Sequence, residues 1–209
     1  MYGFIFLSAV PMRLQPSDRS EMVNQLLMGD TFQILERAPK WSRIRCDLDG
    51  YEGWVDNKQY HEVSLDVVED ARLQRAAAVS ASSPSEVALN RYLSAPYLWG
   101  GRTVMGIDCS GLTQVCFLAC GVTLLRDASQ QATQGIPVPT LQQLQKDDLC
   151  FFQNEEGRII HVGISLGDGR IIHASGYVRI DRLDDTGIFD EQTHSYTHRL
   201  HSLRRIIRS

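Results

Sequence analysis

The sequence predicts a small all-β barrel followed by an α+β domain with an antiparallel sheet. Three observations carry that prediction. The first sixty residues hold short alternating apolar runs separated by turn residues, the pattern of a small barrel. Two capped helix patterns follow, beginning near residues 84 and 109. After residue 148 the pattern returns to strands, and helices followed by strands is the order of an α+β domain.

In the N-terminal part, Phe4 and Phe6 alternate in the first strand. Phe32 and Ile34 alternate in a second, and Ser42, Ile44 and Cys46 in a third. Asp49-Gly50 is a turn signal, and Gly53-Trp54-Val55 follows as a short strand. Pro16 to Asn24 reads as a polar loop. The expected domains are 1–63, a connection over 64–83, and 84–209. The connection is charged, then alanine-rich, then serine-rich. Ser83-Pro84-Ser85-Glu86 combines an N-cap, a proline at the first helical position and a capping-box glutamate. Pro96 ends that helix. From Cys109, the residues Leu112, Val115, Cys116 and Ala119 recur at helical spacing, and Gly121 suits the position just past the end. A short helix is expected near Gln130 to Gln134. Strands are expected at Leu149 to Gln153, Ile159 to Leu166, Arg170 to Ala174, Val178 to Ile180 and about Arg199 to Ile207.

Composition narrows the function. The chain has 209 residues, and 21 Lys and Arg against 25 Asp and Glu leave a net charge of −4. That balance argues against nucleic acid or an anionic membrane as the main partner. Hydrophobic content of 43% with 22% charged residues is ordinary globular chemistry. The apolar run from Phe4 to Val10 is too short for a membrane span, and no basic residue precedes it. It reads as a buried strand, with the cytoplasm as the expected compartment. Five cysteines at irregular spacing form neither a disulfide framework nor a zinc pattern. No metal or cofactor is expected.

Asp108-Cys109-Ser110-Gly111-Leu112 is the centre of the chemistry. A cysteine in the first helical turn sits beside unpaired N–H groups and the positive end of the helix dipole, which favour a thiolate. A thiolate nucleophile needs a base and a group to orient that base. His161 lies on a strand whose oily face is Ile160, Val162, Ile164 and Leu166, so it belongs to the other face. His173 follows on the next strand, after Gly167-Asp168-Gly169. The two histidines share a face only if that turn has an odd number of residues. A three-residue loop sets His173 opposite Gly163, and both histidines are then expected to face Cys109.

Pro96-Tyr97-Leu98-Trp99-Gly100-Gly101, Asp108-Cys109-Ser110-Gly111-Leu112, His161-Val162-Gly163-Ile164 and Ile172-His173-Ala174 together resemble the NlpC-type cysteine peptidases of bacterial cell walls. The likeness covers about residues 84–207. It implies a papain-like catalytic domain with Cys109 as nucleophile, His161 as base, His173 as orienting residue and Tyr97 near the oxyanion. Residues 1–60 resemble the bacterial SH3-like barrel fused ahead of such domains. Arg126-Asp127-Ala128-Ser129-Gln130-Gln131, with Asp108 and Ser110, is similar to the subgroup that cleaves γ-D-glutamyl–diamino acid bonds in murein peptides with a free N-terminal L-alanine. That likeness implies Asp108, Ser110, Asp127 and Ser129 as substrate contacts, with Glu21 and Tyr51 as the barrel's contributions. The expected partner is then a cell-wall peptide. The competing expectations are an exported wall-lytic enzyme, a papain-like amidase or acyltransferase, and a binding protein without catalysis.

Overall fold

The computed structural model describes residues 1–207. The chain divides into two compact units, residues 1–79 with 99–102, and residues 80–98 with 103 onward.

The first unit is a seven-stranded antiparallel sheet of β1 (Tyr2–Phe4), β2 (Ala9–Arg13), β3 (Met22–Leu27), β4 (Thr31–Arg37), β5 (Trp41–Cys46), β6 (Glu52–Asp56) and β7 (His61–Val63). The strands run in the order β3-β2-β6-β5-β4-β1-β7. Alternation along β5 buries Ser42, Ile44 and Cys46 while Arg43 and Arg45 face solvent. The buried set packs with Ile5, Val10, Met12, Leu26, Phe32 and Val55. The expected loop over 16–24 is shorter, because Met22 already pairs with Arg13. The expected connection contains a thirteen-residue helix, α1 (Leu65–Ala77). Only Val68 on it is buried, so its apolar signal is weak. Ion pairs of Arg72 with Asp47 and Arg75 with Asp30 hold it to its own unit. Residues 99–102 belong here too. The buried Arg102 guanidinium donates to the Gln25 carbonyl at 3.0 Å and to Asp30 at 3.2 Å.

The second unit opens with α2 (Pro84–Val87), which continues as a wider turn over Ala88–Tyr92. The Ser83 hydroxyl caps it by accepting from the Glu86 N–H. Two-residue strands β8 (Arg102–Thr103) and β9 (Gly106–Ile107) precede α3 (Cys109–Leu118). The short helix falls at α4 (Ala128–Gln131), two residues before its expected start. The sheet comprises β10 (Ile136–Pro137), β11 (Leu149–Gln153), β12 (Ile159–Ser165), β13 (Arg170–Ser175), β14 (Tyr177–Leu183), β15 (Gly187–Asp190) and β16 (Ser195–Arg205). Its order is β10-β16-β11-β12-β13-β14-β15, and β16 also pairs with β15, so the sheet closes on itself. The eleven-residue β16 makes this possible: Arg199–Arg204 pairs with β11, and Ser195–Arg199 with β15.

Two apolar clusters flank the sheet. Val162, Ile164 and Ile172 pack against Leu112 and Cys116 of α3. Cys150, Phe152, Ile171, Ile188 and Leu203 fill the opposite, inner face. Cys116 and Cys120 are buried in the α3 cluster and form no disulfide.

Candidate active site

The β12–β13 hairpin fixes the histidines. The Leu166 N–H donates to the Arg170 carbonyl at 2.9 Å, which leaves Gly167-Asp168-Gly169 as a three-residue loop. Gly167 at φ 86° and Gly169 at φ 75° supply the left-handed positions. The register then sets Gly163 opposite His173. A β-carbon on Gly163 would come within 2.7 Å of the Ile171 δ-carbon and 2.9 Å of the His173 β-carbon, so a larger residue there would push both neighbours aside.

His161 Nε2 lies 2.9 Å from His173 Nδ1, and His173 Nε2 lies 2.9 Å from Asp181 Oδ2. All three side chains are buried. This chain of contacts determines the tautomers. The Asp181 carboxylate only accepts, so His173 donates from Nε2 and keeps a lone pair at Nδ1. His161 must then donate from Nε2, which leaves its Nδ1 as an unprotonated acceptor. Asp181 is held in turn by Arg179, which also pairs with Asp190. Asp181 was not anticipated from the sequence. It sits diagonally across from His173, since Ile171 pairs with Asp181 and His173 with Arg179.

Alternation sends His161 and His173 to the inner face of the closed sheet, with Phe152 and Ile171. Cys109 belongs to the α3 cluster on the other face. The expectation that both histidines simply face the cysteine is corrected accordingly. The β12–β13 pairing stops at Gly163–His173, and beyond it the Cys109 thiol hydrogen-bonds the Val162 backbone. The thiol thus reaches the strand end beside His161 where the two strands part.

The thiolate expectation is corrected as well. Burial, then the Asp108 carboxylate, push the Cys109 thiol up to about 12, against weaker help from backbone N–H groups and Arg126. Desolvation outweighs the helix start. Burial also drives His161 well below its ordinary value, aided by repulsion from His198 and His173. Both shifts favour the uncharged forms, a thiol at Cys109 and an imidazole at His161. Tyr97 is half-buried beside Cys109 and Asp108, and its hydroxyl is raised by burial first and by those two groups next.

Asp108 and Ser110 support the helix start. Asp108 caps α3 by accepting from the Gly111 N–H at 2.6 Å. Both of its oxygens also accept from the fully buried Arg126, at 2.6 and 3.1 Å. Arg126 reaches the Ser110 hydroxyl at 2.8 Å. The Ser110 carbonyl accepts from Thr113 and Gln131. Asp108 is thus an ion-pair partner of Arg126 and the cap of α3. Asp127 caps α4 in a capping box with Gln130, and Ser129 is exposed in that helix. Glu21 and Tyr51 lie in the first unit. Glu21 accepts from the Trp99 indole N–H at 2.7 Å, and Tyr51 packs on the β-sheet core.

His161, His173 and His198 present nitrogens within 4.8 Å of one another, a spacing that a metal ion could use. The rings argue for another use. His161 and His198 are stacked at 4.0 Å and 26°, so their lone pairs run side by side rather than converging. The His161–His173 nitrogens already face each other in a hydrogen bond.

A model of the bacterial dipeptidyl-peptidase SH3 domain matches residues 12–59. The chain is 37% identical over 105 residues to a γ-D-glutamyl-L-lysine dipeptidyl-peptidase of Bacillus cereus, covering 48% of this chain and 31% of that protein. It is 45% identical over 85 residues to the Bacillus subtilis protein of the same name, covering 40% and 28%. The match thus spans about a third of these relatives. An NlpC/P60 family protein of Bacillus cereus superposes over 98% of this chain and 62% of its own, with a TM-score of 0.53 at 22% identity, which is a likeness of fold. The NlpC/P60 family model covers residues 94–198, half of the chain and the whole run from Tyr97 through Cys109 and the histidines to His198; the chain belongs to the NlpC/P60 family.

Proposed function

We propose that this chain is a cysteine peptidase hydrolysing the bond between the γ-carboxyl of D-glutamate and a diamino acid in wall-derived peptides that carry a free N-terminal L-alanine. The observation that carries the reading is the relay from Asp181 through His173 to His161, whose strand neighbour Val162 hydrogen-bonds the Cys109 thiol through its backbone. The names of the Bacillus relatives support the choice of bond. We read the first unit as an SH3-like barrel and the second as a papain-like arrangement.

In the first step the Cys109 sulfur attacks the γ-carbonyl carbon as its proton passes to His161 Nδ1. Backbone N–H groups at the α3 start, with Tyr97 beside them, receive the oxyanion. The intermediate collapses, the C–N bond breaks and His161 protonates the leaving amine. A water then attacks the thioester with His161 as base, the C–S bond breaks and the thiol is restored. Neither metal nor cofactor enters these steps. Asp127, at the start of α4 with Ser129, is the carboxylate we assign to the substrate ammonium.

Mass spectrometry of products from L-Ala-γ-D-Glu-diaminopimelate, and from the same peptide acetylated at its amine, tests the reading. The expected product is L-Ala-D-Glu from the free peptide. Acetylation removes a charge-assisted contact of about 1.5–3 kcal/mol, a loss of roughly ten- to a hundredfold in kcat/KM. Equal rates on both peptides would favour a wall-lytic enzyme, and turnover only of non-peptide acyl donors would favour an amidase or acyltransferase.

A further inference from the structure

The geometry points to His198 as a positioning residue: we infer that its ring, stacked on the face of His161, locks the orientation of that imidazole and keeps water from it. The inference rests on the reading of His161 as the catalytic base.

His161 is attached at one end by its β-carbon and bonded at the other through Nε2 to His173. Those two constraints hold the far end of the ring but restrain its plane about χ2 only loosely, because Nε2 lies close to the rotation axis. A swing would re-aim Nδ1, the nitrogen that the proposed mechanism uses as base. Contacts against the ring face decide the plane. His198 stacks there at 4.0 Å with 26° between planes. Phe152 lies 5.8 Å away on a tilted plane, and His173 meets His161 edge-on at 5.0 Å. Phe152 and His173 each brace His198 as well, at 6.1 and 5.7 Å.

His198 reaches this place because β16 crosses from β11 to β15 at that point, and Ile188 pairs with it. Its Nδ1 is 2.9 Å from the Thr197 hydroxyl, which sets the rotation of its own ring. A groove lined by Ile160, Tyr196 and Arg199 opens at its outer edge. His198 thus stands between that groove and His161, like a shutter.

The charged and titratable groups around the stack are His173 from β13, Arg179 and Asp181 from β14 and Asp190 from β15, with Glu155, Asp185, Tyr196 and Arg199 lining the groove at the outer edge of His198. β11 contributes only the uncharged Phe152. Burial and then His173 lower His198 to about 4, against the pull of Asp181, so at neutral pH an uncharged ring covers His161.

The test compares His198→Ala, His198→Gln and His198→Phe with the parent protein. Loss of the face should lower kcat about ten- to a hundredfold in the Ala and Gln variants, with KM changed less than threefold. Phe, which keeps the face, should restore most of kcat. The acidic limb of the pH–rate profile should move upward by about one pH unit in the Ala and Gln variants, because water then solvates protonated His161, and stay low with Phe. NMR titration of the His161 ring in each protein reads the same shift without any substrate, so it stands even if the peptide assays fail. An unmoved His161 titration in both the Ala and Gln variants, or Phe behaving like Ala, would overturn the inference.

Discussion

Alkylation of Cys109 in the resting protein should be slow and should climb with pH. An ordinary cysteine thiol near 9.0 is about one part in a hundred thiolate at pH 7, whereas Cys109 at about 12 is about one part in 10⁵. The thousandfold deficit is offset in part, because a more basic thiolate is intrinsically more nucleophilic. A Brønsted slope of about 0.4–0.5 over three pH units returns a factor of about 15–30. Iodoacetamide should therefore label Cys109 about thirty- to sixtyfold more slowly than a free cysteine peptide at pH 7. The rate should rise about tenfold per pH unit from 6 to 9. Cys116 and Cys150, whose thiols burial raises further still, should label after it. Digestion and mass spectrometry resolve each cysteine. A plateau in Cys109 labelling between pH 5 and 8 would refute the reasoning, because it would reveal a resting thiolate paired with imidazolium.

Asp181→Asn should cost about 10³–10⁴ in kcat while leaving the fold intact. Arg179 donates to Asp181 Oδ1, so an amide would turn its oxygen to Arg179 and its NH₂ to His173. That reverses both tautomers and places a proton on His161 Nδ1; ¹⁵N NMR of the rings would show the reversal, and unchanged tautomers with full activity would refute it. Arg126→Met should destabilise the second unit by about 3–5 kcal/mol, since it strands the buried Asp108 carboxylate. Hydrogen exchange along α3 should then accelerate by about two to four orders of magnitude, and adding Asp108→Asn should restore part of the protection. A loss below about 1 kcal/mol would show that the pair is not carrying the helix start.

The hairpin was legible because its information is local. Alternation along Ile159–Ser165 and Arg170–Ser175, with an odd loop between glycines, is enough to bring His161 beside His173. Asp181 was within reach of the same reasoning. Gly176 is a one-residue turn between the paired Ser175 and Tyr177, and counting on from it sets Arg179 and Asp181 on the face of His173. It was hidden by company, since Arg182, Asp184 and Asp185 make the stretch look like a solvated loop. His198 was not legible, because its place depends on β16 pairing with two strands at once. The state of the Cys109 thiol was misjudged for a related reason. The helix-start effect is written in the local sequence, while the burial that overrides it comes from strands fifty residues away.

The closure of the second sheet by β16 has a kinetic consequence. The site draws on Cys109, His161, His173, Asp181 and His198, and the strand carrying His198 joins β11 to β15. Contacts of such sequence separation form slowly, because a long loop must be ordered before they return any energy. On the ribosome, a chain that has emerged only through β14 already holds Cys109, His161, His173 and Asp181, the groups of the proposed relay. It lacks the strand that closes the sheet around them. The proposed peptidase activity should therefore switch on abruptly when β16 docks, and a nascent or partly unfolded chain should lack it even with Cys109, His161, His173 and Asp181 present.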